Sequence, residues 1–292
     1  MSGTVAPERS PPPVPQTDVD LPVAGPADLV PEPPDFSSLY EAELPQKDQL
    51  CGAFWGSLAL TASGHPADQD EVALRAGTAL AEGDTSGWLP PGASPRDDYR
   101  LQIPVAADEP SSGTPAAGVA RAIEEMSAGN LSVVPVAGAW GAETVASLVE
   151  LAASVGAGSP FGCVLVANLR TGHLWGSRPD PALLLDYLAG RAVEPPSADW
   201  DCGHFLNIAG VIRSPGGPLL ILRDTYRQLG WNGYHLQPAT AVAAALARDD
   251  GKEGGVLCVC QPDTAEALRI RLGEIGLELR LWDNGSADRL EG

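Results

Sequence analysis

Nucleophilic chemistry at a thiol needs a base for the proton, a group that orients the base, and donors for the charge that develops on the attacked oxygen. Residues 43–60 of the 292-residue chain, ELPQKDQLCGAFWGSLAL, offer a nucleophile and such donors. Cys51 heads an apolar, small-residue run that predicts a helix over residues 51–61, stopped by Ser63-Gly64-His65-Pro66. At a helix start, unpaired backbone N–H groups and the positive end of the dipole favour a thiolate. The Cys51 N–H and the side-chain amide of Gln46 are the candidate oxyanion donors, with Gln49 the nearest substitute. The competing reading of Cys51 is a small buried core residue, since free cysteine is among the most buried residue types.

The base is sought among four histidines. His65 and His173 lie in the turns SGHP and TGH, and His235 follows Gly233-Tyr234 near a strand end. His204 differs: it begins the apolar stretch HFLNIAGVI, which the turn RSPGGP joins to LLILRD, ending in Asp224. The two stretches read as a hairpin. Such pairing can bring an imidazole and a carboxylate within hydrogen-bonding reach, the orienting interaction that a Cys-His pair requires.

The order Gln46, Cys51, His204, Asp224 resembles that of the papain-like cysteine peptidase superfamily. Asp224-Thr225-Tyr226, followed by Gly230-Trp231-Asn232-Gly233-Tyr234, is similar to that family's Asn-Ser-Trp stretch with its Gly-Trp and Asn-Gly-Tyr sequel. Cys51-Gly52, Gly203-His204-Phe205 and LILRD look more like the phytochelatin synthase and bacteriocin-leader peptidase branches, which use aspartate as the third member. The match spans residues 44–65 and 200–240, with Gln46 one residue closer to the cysteine than is usual in the family.

The resemblance implies an α+β papain-like fold, in which a helical subdomain carries Cys51 and an antiparallel sheet subdomain carries His204 and Asp224, with extra α/β elements. It implies a Cys-His-Asp triad that cleaves a peptide or peptide-like substrate, or transfers its acyl group, through a thioester. A small residue before the scissile bond, no cofactor, and a role in peptide natural-product maturation go with it. Gly52, Trp55, Gly203 and Trp231 are the implied substrate-binding residues, with Trp231 also shielding the His204–Asp224 hydrogen bond. An alignment of CGAFW that puts Phe54 at the nucleophile position implies instead an inactive peptide-binding or scaffold protein.

Other chemistry has weaker support. Cys202-x-His204 and Cys258-x-Cys260 have the residue types of a zinc site without its usual second pair, so no metal is expected. Cys202 can line the site, form a disulfide with Cys51, or be a small buried residue. No phosphate loop or dinucleotide fingerprint occurs.

The elements that must position these residues alternate along the chain. Helices are expected over residues 69–82, 115–127, 142–154, 179–190, 237–247 and 263–276, the last opened by a capping box of Asp263 and Glu266. Strands are expected over 99–106, 131–138, 162–169, 254–260 and 277–282, besides the hairpin, which gives the middle third an α/β character. Residues 1–44, rich in proline and acids, read as a disordered tail preceding one catalytic domain over 45–292. Within that tail DFSSLY, with Phe36, Leu39 and Tyr40, has apolar anchors that could dock on the body, as a recruitment motif or a pro-segment cut near Pro45.

A net charge of -20 repels phosphate backbones and anionic lipid surfaces, so neither nucleic acid nor membrane is an expected partner. No run of apolar residues is long enough for a membrane span, and no secretory signal pattern opens the chain, which points to the cytoplasm. Five scattered cysteines without a C-x-x-C pair read as free thiols. The oligomeric state is left open.

Overall fold

In a strand, successive side chains point to opposite faces, and a strand apolar at every position must therefore be covered on both sides. The run CVLVA that opens strand β3 (Cys163–Arg170) is such a case. Cys163, Leu165, Ala167 and Leu169 join one core, whereas Val164 and Val166 join the other. The first core is roofed by helices α5 (Ala142–Gly156), α7 (Ala239–Ala247) and α8 (Pro262–Arg271). The second is roofed by α1 (Phe36–Glu43), α2 (Cys51–Ala62) and α4 (Ala116–Met126), with α3 (Gln69–Ala76) packed outside on α2 and α4. The computed structural model, which describes residues 25–287, is thus a sheet between two helical layers.

The sheet has eight strands, in the order β6 (Tyr234–Pro238), β5 (Leu219–Arg223), β4 (Gly203–Ile212), β3, β7 (Gly255–Cys260), β2 (Ser132–Gly138) and β8 (Leu277–Leu279). The short β1 (Ala27–Leu29) pairs with the far end of β4, and every pairing is antiparallel. The alternation of helices and strands in the middle of the sequence is real, but it does not produce a parallel sheet. β2 and β3 run parallel on either side of β7, which is antiparallel to both. The described chain is therefore α+β, with α6 (Pro181–Leu188) on a loop excursion between β3 and β4. Among the described residues no helix is long and apolar enough to cross a membrane.

Several sequence expectations shift. Residues 99–106 form no strand: only Val105 bridges Leu80, while the N–H groups of Arg100 and Leu101 bond to the Asp70 carboxylate. Helix α3 ends at Ala76 rather than at residue 82, because Gly77 takes a left-handed φ of 75° and caps it. Helix α8 begins at Pro262, so Asp263 and Glu266 form no capping box. Gln237 and Pro238, expected to open a helix, instead end strand β6 (Tyr234–Pro238).

The largest correction concerns the expected disordered tail. Residues 1–24 lie outside the described residues, but 27–43 form β1 and α1, with Phe36 and Tyr40 fully buried. DFSSLY docks on the body, with Phe36 and Tyr40 in the second core and Leu39 packed against it. Arg223 of β5 pairs with Glu32 and lies over the rings of Phe36, Tyr40 and Tyr234, which holds the segment on the sheet edge. The Tyr40 hydroxyl donates to the backbone oxygen of Asp224 at 2.7 Å.

Gly233 makes this contact possible: its φ is 89°, and a Cβ there would lie 2.0 Å from the Tyr40 hydroxyl. Tyr40→Phe leaves the buried Asp224 carbonyl without its donor and should cost about 1–3 kcal/mol. Gly233→Ala should cost at least as much through strain and collision. Urea unfolding checks both; midpoints equal to wild type would show that the hydroxyl contact does not support the fold.

Candidate active site

Helix α2 brings Cys51 to β4 through two local features of its sequence. Gly52 lets the helix approach closely, since a Cβ there would stand 3.0 Å from a Val119 methyl and 3.3 Å from the Phe205 ring. One turn on, the Trp55 indole N–H donates to the backbone oxygen of Phe205 at 3.1 Å. Cys51, the first residue of the helix, therefore sits beside His204, the neighbour of Phe205. The preceding Leu50 provides no side-chain cap, so the first-turn N–H groups are not taken by one.

His204 and Asp224 are brought together by the register of the hairpin. Arg223 pairs with Asn207, and Asp224 leaves the end of β5 beside the start of β4. The Asp224 backbone is held twice: its N–H donates to the Gly233 oxygen at 2.8 Å, and its oxygen accepts from Tyr40. Its carboxylate Oδ1 lies 3.2 Å from His204 Nε2, with both side chains almost wholly buried at 2% and 1% exposure. With Nε2 committed to Asp224, Nδ1 is the nitrogen left for the thiol of Cys51.

The electrostatics of His204 are a contest. Burial lowers its pKa, but the charge and hydrogen bond of Asp224, with a further hydrogen-bonding contribution from Cys51, outweigh burial and raise it to about 10. The imidazolium is the form held at neutral pH. Trp200 stands edge-on to the ring at 5.0 Å between centroids, and Tyr226 is stacked on it at 6.3 Å.

Gln46 is buried and tied to the same cluster. Its backbone N–H donates to the Thr225 oxygen at 3.1 Å, and its Oε1 accepts from Thr225 Oγ1, which also lies 3.4 Å from His204 Nε2. The Gln46 amide nitrogen is thereby turned to the other side and donates to the Lys47 oxygen at 3.2 Å. Gln49, at a φ of 62°, spends its Oε1 on the Ala81 N–H. The loop that carries both is clamped by the buried Lys47–Asp70 pair at 2.8 Å, and by Tyr99 and Arg96 on Asp48.

Gln46, Cys51, Trp200, Cys202, His204 and Tyr226 are among the residues that wall a cavity of about 60 Å³. It adjoins two wider lobes. One, about 710 Å³, is lined by Asp48, Glu82, Asp84 and Asp97 with no basic residue. The other, about 590 Å³, has Cys51, Gly203, Arg170, Arg248 and Lys252 in its walls, along with Asp201 and Asp250.

Gly203 thus reaches the cleft, whereas Gly52, Trp55 and Trp231 are not among the residues that line the cavity or its two lobes. Trp55 and Gly52 are buried in the core, where they pack α2 on β4. Trp231 is half exposed, bridged to Tyr234 in the turn after Asp224, and Trp200 and Tyr226 cover His204 in its place. Cys202 lines the cleft beside Cys51, with its N–H on Thr171 Oγ1; burial, then the Cys51 charge, pushes its thiol pKa well up. All five cysteines are free, and Cys258 and Cys260 are core residues. Among the described residues no group of three or more His, Cys, Asp or Glu side chains is arranged to hold a metal ion.

Sequence reasoning overlooked Tyr40, Thr225, Trp200 and His235 at this site. Thr225 and Tyr40 carried a signal, by adjacency to Asp224 and as an anchor of DFSSLY. A protein-family profile described as "Family of unknown function (DUF6885)" matches residues 30–283. No curated protein matches the chain.

A raised histidine pKa stabilises the fold fully below the unfolded value near 6.5, and that stability is lost as pH rises through the folded value near 10. The stability difference between wild type and His204→Gln should therefore shrink between pH 6.5 and 10. Denaturant titrations across that window check it; a difference constant with pH would contradict the assigned imidazolium.

Proposed function

The chain belongs to the DUF6885 family, and from the geometry of its site we propose that it is a cysteine peptidase or peptidyl transferase with a papain-like fold. The observation that carries this reading is a thiol at an uncapped helix start beside a buried imidazole whose other nitrogen is held by a carboxylate. The Cys51 proton rests on His204 Nδ1, where it completes the imidazolium, and the thiolate sulfur attacks a peptide carbonyl. The Cys51 N–H and the Gln46 amide hold the oxyanion. His204 gives the proton to the leaving amine as the C–N bond breaks, which leaves a thioester. Water or a second amine then attacks the thioester and loses its proton to His204, and the released thiolate restores the pair. Asp224 keeps the imidazole in the tautomer that serves both transfers.

The two lobes that adjoin the Cys51 cavity have volumes suited to a ligand of several residues, which supports a peptide substrate over a small molecule enclosed on all sides. Four acids without a base line one, whereas acids and bases are mixed in the other, and this unequal charge gives such a chain a direction. Free thiols support a reducing, cytoplasmic setting, and peptide natural-product maturation is the process that fits the resemblance.

Cys51→Ala should abolish labelling by iodoacetamide at this position and all turnover of peptides, with the unfolding midpoint near that of wild type. Asp224→Asn, which keeps the shape and removes the charge, should lower the labelling rate by at least tenfold. Mass spectrometry of the labelled protein reads both. Peptide binding without labelling or turnover would overturn the enzyme and leave a non-catalytic peptide-binding protein.

A further inference from the structure

His235 takes no part in the chemistry above, yet it is buried at 3% exposure with its ring against the far side of Asp224. Its protonation is fixed by a chain of hydrogen bonds. Gln237 Oε1 accepts from the Trp175 N–H at 2.8 Å, and Gln237 Nε2 donates to the Trp175 oxygen at 2.8 Å. That two-point clamp sets which end of the amide is nitrogen. The nitrogen lies 3.1 Å from His235 Nδ1, and an amide nitrogen only donates, so Nδ1 is an acceptor.

A neutral imidazole whose Nδ1 accepts carries its proton on Nε2. This Nε2 has no hydrogen-bond partner despite its burial, and it lies 3.9 Å from Asp224 Oδ2. Between them opens a cavity of about 10 Å³, lined also by Ser177, Asp199 and Trp200. Among the described residues no hydrogen bond reaches Oδ2, while Oδ1 is held by His204. The charged groups that face His235 are Asp224 and Asp199, which favour its imidazolium, and His204, which opposes it. Burial is the largest influence and lowers the pKa, so the ring stays neutral.

We propose that His235 is a positioning residue of the triad: its Nε2–H faces Asp224 Oδ2 across 3.9 Å, and the attraction between that dipole and the carboxylate keeps Oδ1 turned to His204. The inference rests on the Cys-His-Asp reading of the site. One carboxylate is then shared by two imidazoles with different tasks, one neutral and fixed, the other taking and returning a proton.

The test uses the full chain labelled with ¹⁵N-histidine, whose four histidines give a tractable spectrum. At pH 7 His235 should be the neutral Nε2–H tautomer. His235→Leu should shift the His204 ring signals and slow alkylation of Cys51 by iodoacetamide roughly fivefold, as Asp224 loses the dipole that faces it, with a displaced pH profile. His235→Gln, whose amide nitrogen can stand where Nε2 stood, should restore both. An Nδ1–H tautomer or an imidazolium at His235 would overturn the proposal, and so would an unchanged His204 signal and pH profile in His235→Leu. Should His235→Leu fail to fold, the wild-type tautomer decides alone. Failure of wild-type Cys51 to react would remove the enzyme reading, while the tautomer and the His204 response would still judge the contact itself.

Discussion

A charged imidazole and a carboxylate buried side by side are tolerable only where geometry and surrounding hydrogen bonds compensate for the water both have lost. The His204–Asp224 pair sets this condition for its side of the molecule, because its supports come from the sheet, from α1 and from the loop before α2. The sheet supplies the register that brings the two residues together, and α1 supplies the hydroxyl that holds the Asp224 carbonyl. The loop before α2 contributes Gln46, joined to the pair through Thr225. The aromatic rings of Trp200 and Tyr226 exclude solvent from the remaining face.

The distribution of positive charge follows the same logic. With 18 basic against 38 acidic residues, cations are scarce, and several of them act as ties around the site. Lys47 is buried against Asp70 at the base of the Gln46 loop, and Arg96 donates to the backbone oxygens of Glu43 and Pro45. Arg178 holds the Gly230 oxygen in the turn that follows Asp224, and Arg170 fixes Asp201 beside Cys202 with two bonds. Paired in this way, the bases order backbone that no regular element supports.

What the sequence made legible was chemistry carried by short range patterns. Cys51 at a helix start, His204 at a strand start and Asp224 at the end of the next strand follow from periodicity and turn residues alone. Contacts across long separations were not legible. Trp231 looked nearer to the triad than Trp200 because it follows Asp224 in sequence, yet the turn at Gly230 and Gly233 carries it outward. Residues 99–106 have strand composition, but the amides of Arg100 and Leu101 are claimed by Asp70, a partner 30 and 31 positions away. The described part of the acid- and proline-rich start, residues 25–44, looked unable to fold by itself, and it is ordered by what Tyr40 meets: Arg223, Trp55 and the Asp224 carbonyl.

The insertion of β7 between β2 and β3 also governs how the chain can reach its final state. Two crossovers interlock, since β2 in turn lies between β7 and β8. During synthesis β2 and β3 emerge long before the strand that must join them, and each waits with an unpaired edge. Contacts of such wide sequence separation slow folding, and open apolar edges invite pairing with other chains. The same late strand locks the centre of the sheet, so closure of the sheet waits for residues 255–260 rather than being a gradual gain along the chain.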